Sequence, residues 1–218
     1  MATQNWTHVQ CRVVADAFLV KTGAMKRGKL PVDVETAAQR YGIRVHVISG
    51  ISQKHGTKAV AFKKMPEDRF EILVDQYHYE NNELSAAFSI AEEIGHILIH
   101  SDIFGTIRTP EERVTFEQEL SGEDFQRLEM QAKRVASNLL LPSELLDPYV
   151  LNWAQEHIQQ ILSDRPANEK DLADFMASKL GPKLEVSKQI VQRGLERWTP
   201  EPLVARVARV HGIHYLNP

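Results

Sequence analysis

The sequence predicts an α+β fold in which a small three-stranded, mostly antiparallel sheet packs on a predominantly helical core. Polar and apolar residues alternate in a strand-like pattern within residues 43–74, whereas the flanking chain has helical spacing and helix-capping residues. The 218 residues, 43% of them hydrophobic, can bury one large domain with a smaller appendage. The formal net charge of −3 gives no overall attraction to nucleic acid or anionic membranes.

Two helices are expected before the sheet. The first covers residues 5–24 and ends near Gly23, and the second covers residues 33–41. Gly42 follows the second helix at the position where a glycine commonly closes a helix C-terminus.

Three strands are expected in the alternating region. They are predicted at residues 43–48, 57–63 and 70–74, and the Pro-Glu-Asp sequence of residues 66–68 supplies the turn between the last two.

From Glu80 onward the chain is predicted to be almost wholly helical. The segment 101–122 lacks clear periodicity, and we interpret it as a mobile flap beside the candidate site. We place one domain over residues 1–163 and a helical, helix-turn-helix-like subdomain over residues 164–218. The predicted helices cover residues 82–100, 122–140, 143–163, 168–180, 185–198 and 200–211.

Cysteine usage and the N-terminus indicate a soluble, cytoplasmic protein. The single cysteine, Cys11, can form no intrachain disulfide, and it excludes a cysteine-based zinc cage. We interpret Cys11 as a packed core thiol, with a thiol touching the candidate site as the alternative. The N-terminus lacks the pattern of a signal peptide, and no apolar run is long enough to span a bilayer.

The predicted helix 82–100 carries the candidate chemistry. Residues four apart on a helix are rotated by only about 40°, so Glu92, His96 and His100 form one polar stripe. Apolar residues flank this stripe on both sides. A buried charge without a partner is costly, and a metal ion is one partner that such a stripe can have.

The segment 92–96, Glu-Glu-Ile-Gly-His, matches the metallopeptidase pattern H-E-x-x-H at every defined position except the first. In that pattern two histidines hold the metal and the Glu is the general base. A carboxylate at the first position, Glu92, can also bind a divalent ion, and it shifts the preference from zinc towards manganese or iron. Glu129 on a following helix is the candidate third ligand, as in gluzincin peptidases, and the small Ala132 and Ala136 would let the two helices approach closely.

Four segments, in order along most of the chain, resemble the ImmA/IrrE family of metallopeptidases. Residues 88–100 resemble the family's H-E-x-G-H-x-x-x-H helix, and residues 129–142 resemble its E-x-x-A-x-x-x-A-x-x-L-L-x-P segment. Residues 30–45 resemble its N-terminal helix and strand, and residues 186–195 resemble its C-terminal helix-turn-helix-like region. The resemblance implies a zincin-like core in this chain.

The resemblance also implies roles for individual residues. Glu93 would be the general base, and Glu92, His96 and Glu129 would hold a divalent metal, with zinc expected and manganese as the alternative. His100 would be a substitute ligand or a hydrogen-bond partner of one. The implied function is an intracellular endopeptidase that cleaves a helix-turn-helix repressor of the Xre type in a stress-response or mobile-element switch.

Two other functional hypotheses stay open at this stage. Because Glu92 replaces the first histidine, the chain could be a pseudo-peptidase that binds a regulatory partner without cutting it. A DNA-associated regulator acting through the C-terminal helices is the third hypothesis, weakly supported by basic residues in that region. Each site residue also has a structural alternative: Glu92, Glu93 and Glu129 as solvated surface charges, and His96 and His100 as hydrogen-bonded core histidines.

Overall fold

The computed structural model describes residues 5–164, 166–197 and 201–215, and these residues have the predicted α+β architecture. By packing, the chain forms two compact units. The first unit consists of residues up to Arg27 together with Val32–Leu140, and the second consists of Gly28–Pro31 with the chain from Leu141 onward. This division falls earlier than the sequence-based boundary at residue 163, and the functional domain assignment made from the sequence stays a prediction.

The sheet of the first unit is mixed. Its strands are β1 (Arg44–Ile48), β2 (Ala59–Lys64) and β3 (Arg69–Asp75), in the order β1-β3-β2. The hairpin pair of β2 and β3 is antiparallel, but β1 pairs in parallel with β3. The expectation of a mostly antiparallel sheet is corrected accordingly: β2 takes the outer position, and the returning β3 therefore runs alongside β1 in the same direction.

Helices make up the rest of the first unit, and α2 ends as predicted, with Gly42 in the left-handed conformation. The short helices α3 and α4, which the sequence analysis did not predict, flank the sheet strands. The helices are α1 (His8–Thr22), α2 (Val34–Tyr41), α3 (Ile51–His55), α4 (Gln76–Asn81), α5 (Glu83–Ile99), α6 (Ser101–Phe104), α7 (Pro110–Glu119) and α8 (Gly122–Leu140).

No helix is predicted between residues 101 and 121 from the sequence, but α6 and α7 occupy most of this segment. The Thr109 side chain caps α7, and Pro110 occupies its first turn. The α7 side chain that is fully packed inside is Arg113 rather than an aliphatic residue. An inward arginine gives no hydrophobic periodicity, which explains why the sequence pattern did not reveal this helix. The proposed mobility of the segment stays a prediction.

Helix α5 is the centre of the first unit and packs against α8 on one side and against β2 and β3 on another. Its Gly95 lies against the backbone of Ala132 in α8, where even a methyl group would not fit. Helix α1 covers α8, and the Cys11 thiol is fully buried at that contact, as expected for a core cysteine. This close packing holds the polar residues of α5 and α8 opposite one another.

The helices of the second unit lie between residues 143 and 211 and are joined by short loops. The predicted helix 143–163 is broken at His157, whose backbone and ring nitrogens both donate to the Trp153 carbonyl while the two rings stack. Residues 198–200, within two of the predicted helices, lie outside the described part of the chain. The helices are α9 (Ser143–Glu156), α10 (Ile158–Asp164), α11 (Glu169–Lys183), α12 (Lys188–Leu195) and α13 (Leu203–His211).

A search for spanning helices gave a negative result: within the described residues, no helix combines the length and the apolar character needed to cross a bilayer.

We predict that Gly95→Ala lowers the free energy of unfolding by about 1–3 kcal/mol, because overpacking outweighs the better helix propensity of alanine. The added Cβ would lie 2.8 Å from the Ala132 carbonyl oxygen, so α5 and α8 would have to separate. Urea denaturation followed by circular dichroism measures the change. Gly122→Ala is the matched control, since a Cβ there meets no atom within 4 Å and its effect should stay within about 0.5 kcal/mol. Equal effects of the two variants would contradict the importance of this contact.

Candidate functional site

The two central helices of the first unit bring His96 and Glu129 together. His96 lies on α5 with 1% of its surface exposed, and its Nε2 is 3.2 Å from Oε1 of Glu129 on α8. A carboxylate can only accept, so His96 Nε2 carries the proton and donates to Glu129. The structure therefore places two of the residues predicted from the sequence in direct contact.

Lys133 is the residue of this site that the sequence analysis missed. Its Nζ lies 3.0 Å from Oε2 of Glu129 and 3.3 Å from Oε1 of Glu92. Lys133 follows Glu129 by one helical turn, a spacing at which oppositely charged side chains pair on a helix surface. That Glu-x-x-x-Lys spacing was the available sequence signal, but only the packing of α5 on α8 shows that the lysine also reaches Glu92.

Glu93 points away from this ion-pair cluster, towards the sheet. Its Oε2 accepts a hydrogen bond of 2.9 Å from the backbone N–H of Ala61 in β2. Burial raises the pKa of Glu93 to about 8, although Arg113 acts in the opposite direction. Glu93 is therefore mainly a neutral carboxylic acid at pH 7, held between α5 and the edge strand.

His100 continues the polar chain beyond His96. The Nδ1 atoms of His96 and His100 are 3.2 Å apart, and Nε2 of His100 lies 2.9 Å from Oε1 of the buried Gln131. Oε1 of Gln131 can only accept, so Nε2–H of His100 is the donor of that hydrogen bond. His100 thus supports the His96 ring and does not face Glu129.

Aromatic packing closes the other face of the His96 ring. Phe104 of α6 is fully buried and stacks on His96 with ring centroids 4.7 Å apart. The guanidinium of Arg113 covers the Phe104 ring at 4.1 Å and pairs with Glu117. The segment 101–122 is therefore part of the wall of this site.

Burial and ion pairing set the charge of the cluster. Burial lowers the pKa of His96 to about 3, although Glu129 raises it, so the imidazole is neutral. Burial alone would raise the pKa of Glu129, but hydrogen bonds from His96 and Lys133 bring it below its ordinary range. Burial and the neighbouring Glu129 raise the pKa of Glu92 to about 7, and Lys133 opposes that rise. Glu129 and Lys133 are therefore the firmly charged pair.

Helix α5 thus places the histidine of the E-E-x-x-H segment opposite a glutamate of α8, and α5 also packs on the small mixed sheet. The family model of the M78 peptidases, described as the IrrE N-terminal-like domain, matches residues 38–196. This is most of the chain, and the protein belongs to that family. None of the curated proteins compared with the chain matches it.

The family implies a divalent metal, but the side chains present do not fit one in their observed arrangement. Lys133 already pairs with carboxylate oxygens of both Glu92 and Glu129. The nitrogen of His96 that faces Glu129 donates to that carboxylate and would have to lose its proton to bind a metal. Among the residues that the structure describes, no three His, Cys, Asp or Glu side chains are arranged to hold a metal ion. The ligand roles predicted for Glu92, His96 and Glu129 stay predictions.

We predict that Glu93 makes the fold less stable as the pH rises. Its folded pKa of about 8 lies above its ordinary value of 4.5, so the folded state holds a proton that the unfolded state has lost between these values. The contribution of Glu93 to the free energy of unfolding is fully present below pH 4.5 and is lost as the pH rises through 8. Urea unfolding at several pH values should show this fall, and Glu93→Gln, which keeps a neutral acceptor for Ala61, should flatten it.

The matched control for that experiment is Glu83→Gln, which alters an exposed carboxyl on the same helix. It should keep the pH dependence of the unsubstituted protein. A pH profile that Glu93→Gln leaves unchanged would contradict the assignment of a buried, protonated Glu93.

Proposed function

We propose that this member of the M78 peptidase family is a pseudo-peptidase, which binds a regulatory protein partner without hydrolysing it. The observation that carries the proposal is the state of Glu93, the residue at the general-base position. A general base must be ionised and within reach of the attacking water. Glu93 is instead buried, and its Oε2 is hydrogen-bonded to the Ala61 backbone N–H.

The edge of the sheet beside the site supports the same proposal. Peptidases commonly hold a peptide as an added strand along the edge of a sheet. In the structure, two outward N–H groups of β2 are already used: Ala61 donates to Glu93, and Lys63 donates to the Ile107 carbonyl at 2.8 Å. A peptide could pair with this edge only after residues around Ile107 had moved away.

The class of partner follows from the resemblance to ImmA/IrrE proteins. That resemblance implies a DNA-binding repressor of the helix-turn-helix type and a regulatory role in the cytoplasm, in a stress response or a mobile element. We propose the same partner class for this chain. The partner would be bound and held, which changes the amount of free repressor without destroying it.

A second candidate is the metal-dependent endopeptidase that cleaves such a repressor. The observation in its favour is that His96 and Glu129 face each other across α5 and α8, the positions expected of two metal ligands. In that reading Glu93 would activate water, and zinc or manganese would polarise the peptide carbonyl. This hypothesis requires both Lys133 and Glu93 to leave their observed partners.

The ion pairs of the second unit do not favour the third hypothesis, a DNA-associated regulator. Three basic side chains of the second unit are already paired with neighbouring carboxylates, which leaves less positive charge for contacts with DNA phosphates. The pairs are Lys188 with Asp174, Arg206 with Asp147, and Arg209 with Glu201.

We predict that the purified protein binds a helix-turn-helix repressor encoded beside its gene and leaves it intact. Isothermal titration calorimetry measures binding, and intact-mass spectrometry after incubation with zinc or manganese measures cleavage. The expected result is a saturable complex with no new fragments. Repressor fragments that appear with metal, and that disappear with Glu93→Gln but not with the exposed control Glu83→Gln, would overturn the proposal in favour of the endopeptidase.

A further inference from the structure

Lys133 contacts acidic residues of both central helices. Its ammonium lies 3.0 Å from Glu129 on its own helix and 3.3 Å from Glu92 on α5. The side chains of Glu92 and Glu129 are only 17% and 20% exposed, so both carboxylates are partly withdrawn from water. The single positive charge thus lies where the two acidic side chains converge.

We propose that the ammonium group of Lys133 is the resident cation of this site and takes the place that the family gives to a divalent metal. Glu92 and Lys133 then form one compensating pair. Glu92 brings an acidic group where the metallopeptidase pattern has a neutral histidine, and Lys133 supplies the charge that stabilises it. This inference deepens the proposed function and rests on it.

Charge balance explains why the pair has to act together. A buried carboxylate that has no cation beside it is strongly unfavourable. Two carboxylates in one partly buried site repel each other, and a cation between them reduces that repulsion. A lysine can serve as this cation because its ammonium is a compact charge with three donors on a flexible stem.

The same geometry disfavours a second cation. A zinc ion needs carboxylate oxygens and histidine nitrogen at about 2.0–2.2 Å, on lone pairs that are not already used. Here Glu92 Oε1 and Glu129 Oε2 face the ammonium, and Glu129 Oε1 accepts from His96. A dication that used these oxygens would lie within a few ångströms of a like charge and would be repelled. Metal binding therefore requires the ammonium to be removed.

The test is to remove the lysine charge and restore the histidine. Lys133→Met keeps much of the aliphatic stem and removes the charge, and Glu92→His restores two histidines one turn apart, at positions 92 and 96. Zinc content is measured by plasma mass spectrometry on full-length proteins purified without chelators and then reconstituted with zinc sulfate. The shift of the melting temperature with zinc gives a second readout that does not depend on activity.

We expect the unsubstituted protein to retain almost no zinc and to show no shift of its melting temperature. The double variant Glu92→His, Lys133→Met should retain about one equivalent and be stabilised by zinc. Lys133→Arg keeps the positive charge and should behave like the unsubstituted protein. Lys188→Met removes a lysine from an ion pair in the second unit and should also gain no zinc.

Two outcomes would overturn the inference. One is stoichiometric zinc in the unsubstituted protein that Glu129→Ala abolishes, and this result does not require any Lys133 variant to fold. The other is a folded double variant that holds no more zinc than the unsubstituted protein. Zinc uptake by the unsubstituted protein without repressor cleavage would overturn this inference and leave the proposed function standing. Repressor cleavage by the zinc-free protein would overturn the proposed function and leave the assignment of Lys133 intact.

Discussion

The close approach of α5 and α8 is the constraint on which the rest of the first unit depends. Gly95 lies directly against the Ala132 backbone, and this short distance lets side chains of moderate length meet between the helices. The close approach of the helices brings His96 into contact with Glu129, and it brings Lys133 within reach of Glu92. If the helices were further apart, Lys133 would still reach Glu129 on its own helix, but its contact with Glu92 and the contact between His96 and Glu129 would be lost.

The polar groups of this region are engaged with one another, and this has a functional meaning. Active metallopeptidase sites keep a coordination position and a base available for water and substrate. Here Lys133 forms ion pairs with the carboxylates of Glu92 and Glu129. The backbone N–H of Ala61 donates to Glu93, and the Phe104 ring stacks on the His96 ring. These contacts are the basis of the proposal that this member of the peptidase family acts by binding.

The sequence was informative about elements with strong local signals and about residues with a known spacing. The strands, α2 with its Gly42 cap, and the helices carrying His96 and Glu129 were all predicted close to their observed bounds. The parallel pairing of β1 was missed because strand order depends on long-range packing. Helix α7 was missed because its buried side chain, Arg113, is charged. Lys133 was missed because its second partner, Glu92, lies on another helix, and no local pattern reports that contact.

The most direct test of the account is a crystal structure of the unsubstituted protein soaked in a zinc salt, with diffraction data collected on both sides of the zinc absorption edge. We predict continuous density for the Lys133 side chain between Glu92 and Glu129, and no anomalous peak in the site. The Glu93 carboxyl should accept a hydrogen bond from the Ala61 backbone N–H. An anomalous peak bound by Glu92, His96 and Glu129, with Lys133 turned out to solvent, would contradict the account and identify the chain as a metal-binding peptidase.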